Sequence, residues 1–254
     1  MPYSSLDPEK IIKTSRLLEM RISERFPDAG LVGVARELNA LAESTRVDAK
    51  KLEEPIVWVR WATALSVFVG ILVFFFIGRF LTFDRIDTGA FNFVQGVEAM
   101  INAIVLVGIG LLTIAKSEER IKRKRVLSGL HSLRSLIHII DMHQLTKDPI
   151  FTRGDFSPTA SSPERTLSPG LLVRYLDYCS EMLSISGKVA ALYAQSVPDT
   201  EVVTAVNDVE ALGANLSRKI WQKIMLIEPE RQQALLKTPP ARPRAKSRKK
   251  TSLQ

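Results

Sequence analysis

The sequence predicts an all-α protein, with two transmembrane helices plus a cytoplasmic helical bundle. Three observations carry this expectation. Two long apolar blocks interrupt an otherwise charged chain. Positive charge is crowded on the outer flanks of those blocks and sparse between them. The remaining segments repeat apolar residues at helical spacing, and no stretch alternates in the manner of a strand.

The first block, Trp61 to Gly78, reads WATALSVFVGILVFFFIG, eighteen residues without a charge. With Trp58 and Phe80 on its flanks it reaches the length of about 20 residues that a helix needs to cross a bilayer. Arg60 and Arg79 bracket it and can extend their guanidinium groups to the headgroups. Trp58 and Trp61 suit the same boundary, so Trp58, Arg60, Trp61 and Arg79 are the expected membrane anchors. The second block, Ala99 to Ala115, reads AMINAIVLVGIGLLTIA. It is too long and too apolar for an ordinary amphipathic helix, and it extends back to Val94 if Glu98 sits at the interface.

Flanking charge sets the orientation. Arg46, Lys50, Lys51 and Arg60 precede the first block. Lys116, Arg120, Lys122, Arg123, Lys124 and Arg125 follow the second. Only Arg79 and Arg85 lie between. Ten against two puts both ends in the cytoplasm of a multi-pass protein of the cell (inner) membrane. The expected organisation is N-terminal cytoplasmic helices over 1–55, the first span over 56–80, a short outside loop over 81–97 and the second span over 98–115. A cytoplasmic helical domain over 116–228 and a disordered basic tail over 229–254 complete it.

Small residues recur along the spans, as Ala62, Ser66 and Gly70 in the first and Ala99, Ala103 and Gly110 in the second. They allow close helix approach, within the chain or between chains. Asn102 is the only strongly polar side chain deep in either block. A single amide there reads as helix-to-helix glue, not as a conduction element.

Outside the blocks, Asp7 and Pro8 open a helix that runs to about Phe26, with Ile11, Leu18 and Ile22 on one face. Leu31, Val34, Leu38 and Leu41 mark a second helix. After the second span, Val126, Leu130, Leu133, Ile137 and Ile140 form a stripe ending near Leu145. Residues 146–170 read as a loop by their Pro, Ser and Thr content. Ser168-Pro169 starts a helix whose buried face is Leu172, Leu176, Cys179, Leu183 and Ala190. A last helix, capped by Asp199 or Thr200, places Val202, Val206, Val209, Leu216 and Ile220 inward and is expected to end before Pro229.

The net charge of +8 comes mostly from the end of the chain. Residues 1–60 hold ten Lys/Arg and ten Asp/Glu, whereas 229–254 hold eight Lys/Arg and one Glu. Lys237, Arg242, Arg244, Lys246, Arg248, Lys249 and Lys250 form a basic tail suited to anionic lipid headgroups; beside a membrane, lipid is a better partner for it than nucleic acid. Cys179 is the only cysteine, so an intramolecular disulfide is impossible.

All three histidines fall in HSLRSLIHIIDMHQLTKDP, between 131 and 143. On a helix His131, Arg134, His138 and Asp141 share a side, which is expected to meet another helix. His138 and Asp141 could hold a metal only with ligands from elsewhere, because His131 is about 10 Å away along the axis. No catalytic or cofactor-binding motif accompanies them.

The run HSLRSLIHIIDMHQLTKDP, with RYLDYCSEML at 174–183 and NLSRKIWQKI at 215–224, resembles segments of uncharacterised bacterial two-span membrane proteins. That resemblance covers the part after the second span and implies membrane location without a known activity. The expected function is a non-enzymatic, membrane-anchored interaction or scaffold protein whose partner is another protein or a second copy. An oligomeric membrane-perturbing effector or pore is the alternative, and a metal or enzymatic site on the His131–Asp141 helix is a third.

Overall fold

The structure, a computed structural model, describes residues 5–80, 90–147, 159–162 and 167–237. Every regular element among them is an α-helix: α1 (Pro8–Arg25), α2 (Leu31–Glu53), α3 (Val57–Phe80), α4 (Ala90–Leu145), α5 (Pro169–Ser196) and α6 (Thr200–Lys237). The chain is therefore all-α, and α1, α2, the second half of α4, α5 and α6 pack as one bundle.

The helix starts follow local chemistry. Asp7 Oδ1 accepts from the backbone N of Glu9 at 3.0 Å and of Lys10 at 3.4 Å, which supplies partners for two N–H groups that the first turn leaves open. Asp199 does the same for Glu201 (3.0 Å) and Val202 (3.2 Å) at the start of α6. Pro169 occupies the first turn of α5, where its missing N–H costs nothing. Pro55 breaks the chain between α2 and α3, since it disfavours helical backbone at Glu54 and gives no N–H of its own.

The apolar stripes meet in one core. All the inward residues expected from helical spacing are buried there except Leu41, which is partly buried against it. α5 lies at the centre, against α1, α2, α4 and α6. Phe26, at the end of α1, sets its ring edge-on to Tyr175 (5.4 Å between centroids) and Tyr178 (6.2 Å) of α5. Arg21 pairs with Glu181 at 2.6 Å, and Arg123 pairs with Asp199 and Glu201 at 2.8 Å each. These ion pairs pin α1 to α5 and the middle of α4 to the start of α6.

Two boundaries differ from expectation. α4 is one continuous helix of 56 residues, about 84 Å long, and it begins at Ala90, inside the segment expected to be a loop. α6 does not stop before Pro229 but runs to Lys237, so the first part of the expected disordered tail is helical. Glu230, Arg231, Gln232, Gln233, Ala234, Leu235 and Leu236 are good helix formers, and the helix continues through Pro229 into them. Within the expected loop 146–170, Thr159 and Ser162 close a turn, with the Thr159 amide donating to Ser162 Oγ at 2.9 Å.

Candidate membrane hairpin and its junction with the bundle

Beyond the bundle, α3 and the first half of α4 lie side by side. One stretch of the described residues is long and apolar enough to cross a membrane, and its apolar window falls on α3. Gly70 is where α3 comes close to α4: a Cβ there would stand 3.9 Å from Val107 Cγ1. Open space surrounds Gly110, so that small residue does not serve this approach.

The outer surface of the hairpin is apolar on both helices. Trp58, Trp61 and Phe75 of α3 are 66, 72 and 74% exposed, and Leu106 of α4 is 77% exposed. Leu65, Phe68, Ile71, Ile104, Ile109 and Leu112 are exposed as well. Trp58 and Trp61 thus stand at the bundle end of α3 with their rings exposed. Arg79 lies in the last turn of α3, and its side chain is outside the described residues, as are Phe83 and Arg85.

At the bundle end, one carboxylate organises the junction. Glu118 of α4 accepts a hydrogen bond from the backbone N of Ile56 at 3.1 Å, just after the Pro55 break. Lys122 Nζ lies 3.1 Å from the same carboxylate, and Arg60 Nε lies 3.8 Å from it. The amide of Ile56 above all, with Lys122 and Arg60 adding positive charge, holds the Glu118 carboxyl below its ordinary value. Charge counting alone missed Glu118. The signal was present: it is the first acid after the second apolar block, four residues before Lys122.

Next to this junction an open cleft of about 500 Å³ runs between α2 and α4. Lys124, Arg125, Ser128 and Ser44 line it, and Tyr193 closes its floor. Asp48 is its one carboxylate, 4.0 Å from Arg125 Nε. Such a lining can receive an anionic group.

The histidine helix turns out otherwise than expected. His131, Arg134 and His138 are exposed; only Arg134 reaches a neighbouring helix, through Asp208 of α6 at 3.7 Å. Asp141 is engaged by Gln144, whose Nε2 donates to Asp141 Oδ1 at 2.6 Å. Gln144 is buried, and its Oε1 and backbone O accept from Lys223 of α6 at 2.7 and 3.2 Å. The polar contact between helices is therefore one turn further along than the histidine pattern suggested. Among the described residues no three His, Cys, Asp or Glu side chains gather closely enough to hold a metal ion, and His138 with Asp141 gains no third ligand.

His143 is the histidine that packs. Its imidazole covers Gly30 in the turn between α1 and α2, where a Cβ would come within 2.8 Å of Cε1. Burial, and secondarily the charge of Lys147, lowers its pKa. Cys179 is fully buried, and burial pushes its thiol up to about 12, which makes it a core residue without thiolate chemistry. Of the basic tail, Lys237 ends α6, and Arg242, Arg244, Lys246, Arg248, Lys249 and Lys250 lie outside the described residues. No protein-family profile, no curated protein and no solved structure matches this chain.

Proposed function

We propose that the chain is a two-pass protein of the cell (inner) membrane with both ends in the cytoplasm, acting there as a non-enzymatic, membrane-anchored interaction or scaffold protein. The observation that carries this reading is the contrast between the two halves of the molecule. The bundle closes its apolar residues into a core, whereas the hairpin turns its own outward. Among the described residues, eleven large apolar side chains of α3 and seven of α4 between Ile101 and Leu112 are exposed. Each such side chain left in water forgoes roughly 1.5–3 kcal/mol, so the solvent that suits this surface is hydrocarbon. α3 and α4 are helices throughout, which satisfies the backbone in such a solvent.

The scaffold role rests on the bundle: an ordered helical surface, with charged helix faces, held close to the bilayer by Glu118 and the two tryptophans. Anionic headgroups would meet the cations of the α2–α4 cleft and the basic tail. The resemblance to bacterial two-span membrane proteins agrees with this placement. Reporter fusions after residue 90 and after residue 254 test the topology. Opposite sides, with 254 cytoplasmic, are expected; an external signal from 254 overturns it. Ion conductance of the purified chain in liposomes would replace the scaffold reading with that of an oligomeric pore.

A further inference from the structure

Among the described residues, three hydroxyl side chains of the hairpin are satisfied within their own helices. Thr63 and Ser66 donate to the carbonyl oxygens of Val59 and Ala62, at 2.8 and 2.9 Å, and Thr113 donates to that of Ile109 at 2.8 Å. Asn102 is exposed and, among the described residues, has no hydrogen-bond partner. Its place on α4 keeps it from α3. Val107 faces Gly70 of α3, and Asn102 precedes Val107 by five residues, about 140° around the helix. Leu106 and Ile109 share the side of Asn102 and are 77 and 59% exposed.

An amide facing hydrocarbon forgoes its hydrogen bonds, since lipid tails offer neither donor nor acceptor. The carboxamide carries both, so it complements another carboxamide. We propose that two copies of this chain pair in the bilayer through the Asn102, Leu106 and Ile109 face of α4, with Asn102 bonded to Asn102. This rests on the reading that α4 crosses the membrane. A second copy is the partner that the geometry favours. Two copies inserted in the same direction carry Asn102 at the same depth, so the amides meet across a twofold axis along the membrane normal. Between Asn102 and Ile109 the stripe bears no charge that would seek a counter-charge elsewhere.

The test uses the full chain reconstituted in phosphatidylcholine vesicles. Cys179, the only native cysteine, is buried, so an added cysteine reports alone. Leu106→Cys is expected to form a disulfide-linked dimer on mild oxidation. Leu72→Cys, on the side of α3 turned away from Gly70, is expected to form little. Adding Asn102→Leu to Leu106→Cys should lower the dimer yield roughly three- to tenfold, the range for one interhelical hydrogen bond in a membrane. Asn102→Gln, which keeps the amide, should restore most of it.

A dimer yield unchanged by Asn102→Leu overturns the proposal, as does equal cross-linking at Leu72→Cys. A cross-link formed in native membranes to a different protein, and not to a second copy, overturns the self-pairing. A membrane-impermeant thiol reagent separates the two ways of failing. Labelling of Leu106→Cys in intact vesicles refutes the membrane-spanning reading and this contact with it. Absence of both labelling and dimer refutes the contact alone.

Discussion

At Gly129 of α4 there is no room for a side chain beside the core. Tyr193 of α5 is 2% exposed, and its hydroxyl and ring rest on the backbone of Gly129, where a Cβ would overlap Oη and come within 2.7 Å of Cζ. Gly129→Ala should therefore overpack the site at a cost of roughly 1–3 kcal/mol, against about 1 kcal/mol regained from helix propensity. A net loss of about 1 kcal/mol is expected in thermal unfolding. Adding Tyr193→Phe should recover part of it, because the hydroxyl is the nearest group; a purely additive double variant would refute the contact. His143 gives a second residue-scale prediction. Its folded pKa is lowered from 6.5 by burial over Gly30 and by Lys147. The unfolded chain then binds the proton more readily, so this contribution to stability is present above 6.5 and lost as pH falls through the folded value. An NMR titration should place His143 below 6.5, and a value above it would refute the packing on Gly30.

At the scale of elements, the junction between α2, α3 and α4 depends on Glu118. Pro55 interrupts the helix, and Glu118 takes the open amide of Ile56 while drawing in Lys122 and Arg60. Its folded pKa is lowered from 4.5, so its contribution is present above 4.5 and lost as pH falls through the lowered value. Glu118→Gln keeps an acceptor for Ile56 but loses both charge pairings. The variant should melt below the wild type at pH 7, and the gap should close in acid. An equal gap at pH 7 and well below the folded value would show that the charge of Glu118 does not hold the junction. The other end of α4 is held differently, by Lys223 donating to Gln144, which places a cation on the carbonyl end of a long helix.

For the whole molecule, the proposed reading has the hairpin anchor the bundle and the basic tail add charge at the same surface. Each Lys or Arg near an anionic bilayer contributes about 1 kcal/mol at low salt. Removing residues 238–254, beyond the end of α6, should leave the melting of the bundle unchanged. Reconstituted in anionic vesicles, full-length protein should protect its tail from trypsin at low salt and lose that protection at high salt. Equal cleavage in phosphatidylcholine and anionic vesicles would show that the tail does not bind lipid.

The sequence by itself determined the helical class, the two apolar blocks and the buried face of each bundle helix. These follow from local periodicity and from hydrophobic burial, and both leave a one-dimensional trace. Stripes such as Val126, Leu130, Leu133, Ile137 and Ile140 are buried as spaced. Tertiary structure decided which polar groups meet. His131, His138 and Asp141 were marked by residue type, yet what engages Asp141 is Gln144, which in turn is held by Lys223 of α6, 79 residues further along the chain. Glu118 meets Ile56 across 62 residues, and Tyr193 meets Gly129 only because α5 crosses α4 at that height. Pairings of this kind depend on helix crossing and register. Those are set by the packing of the whole core, not by any pattern within one helix.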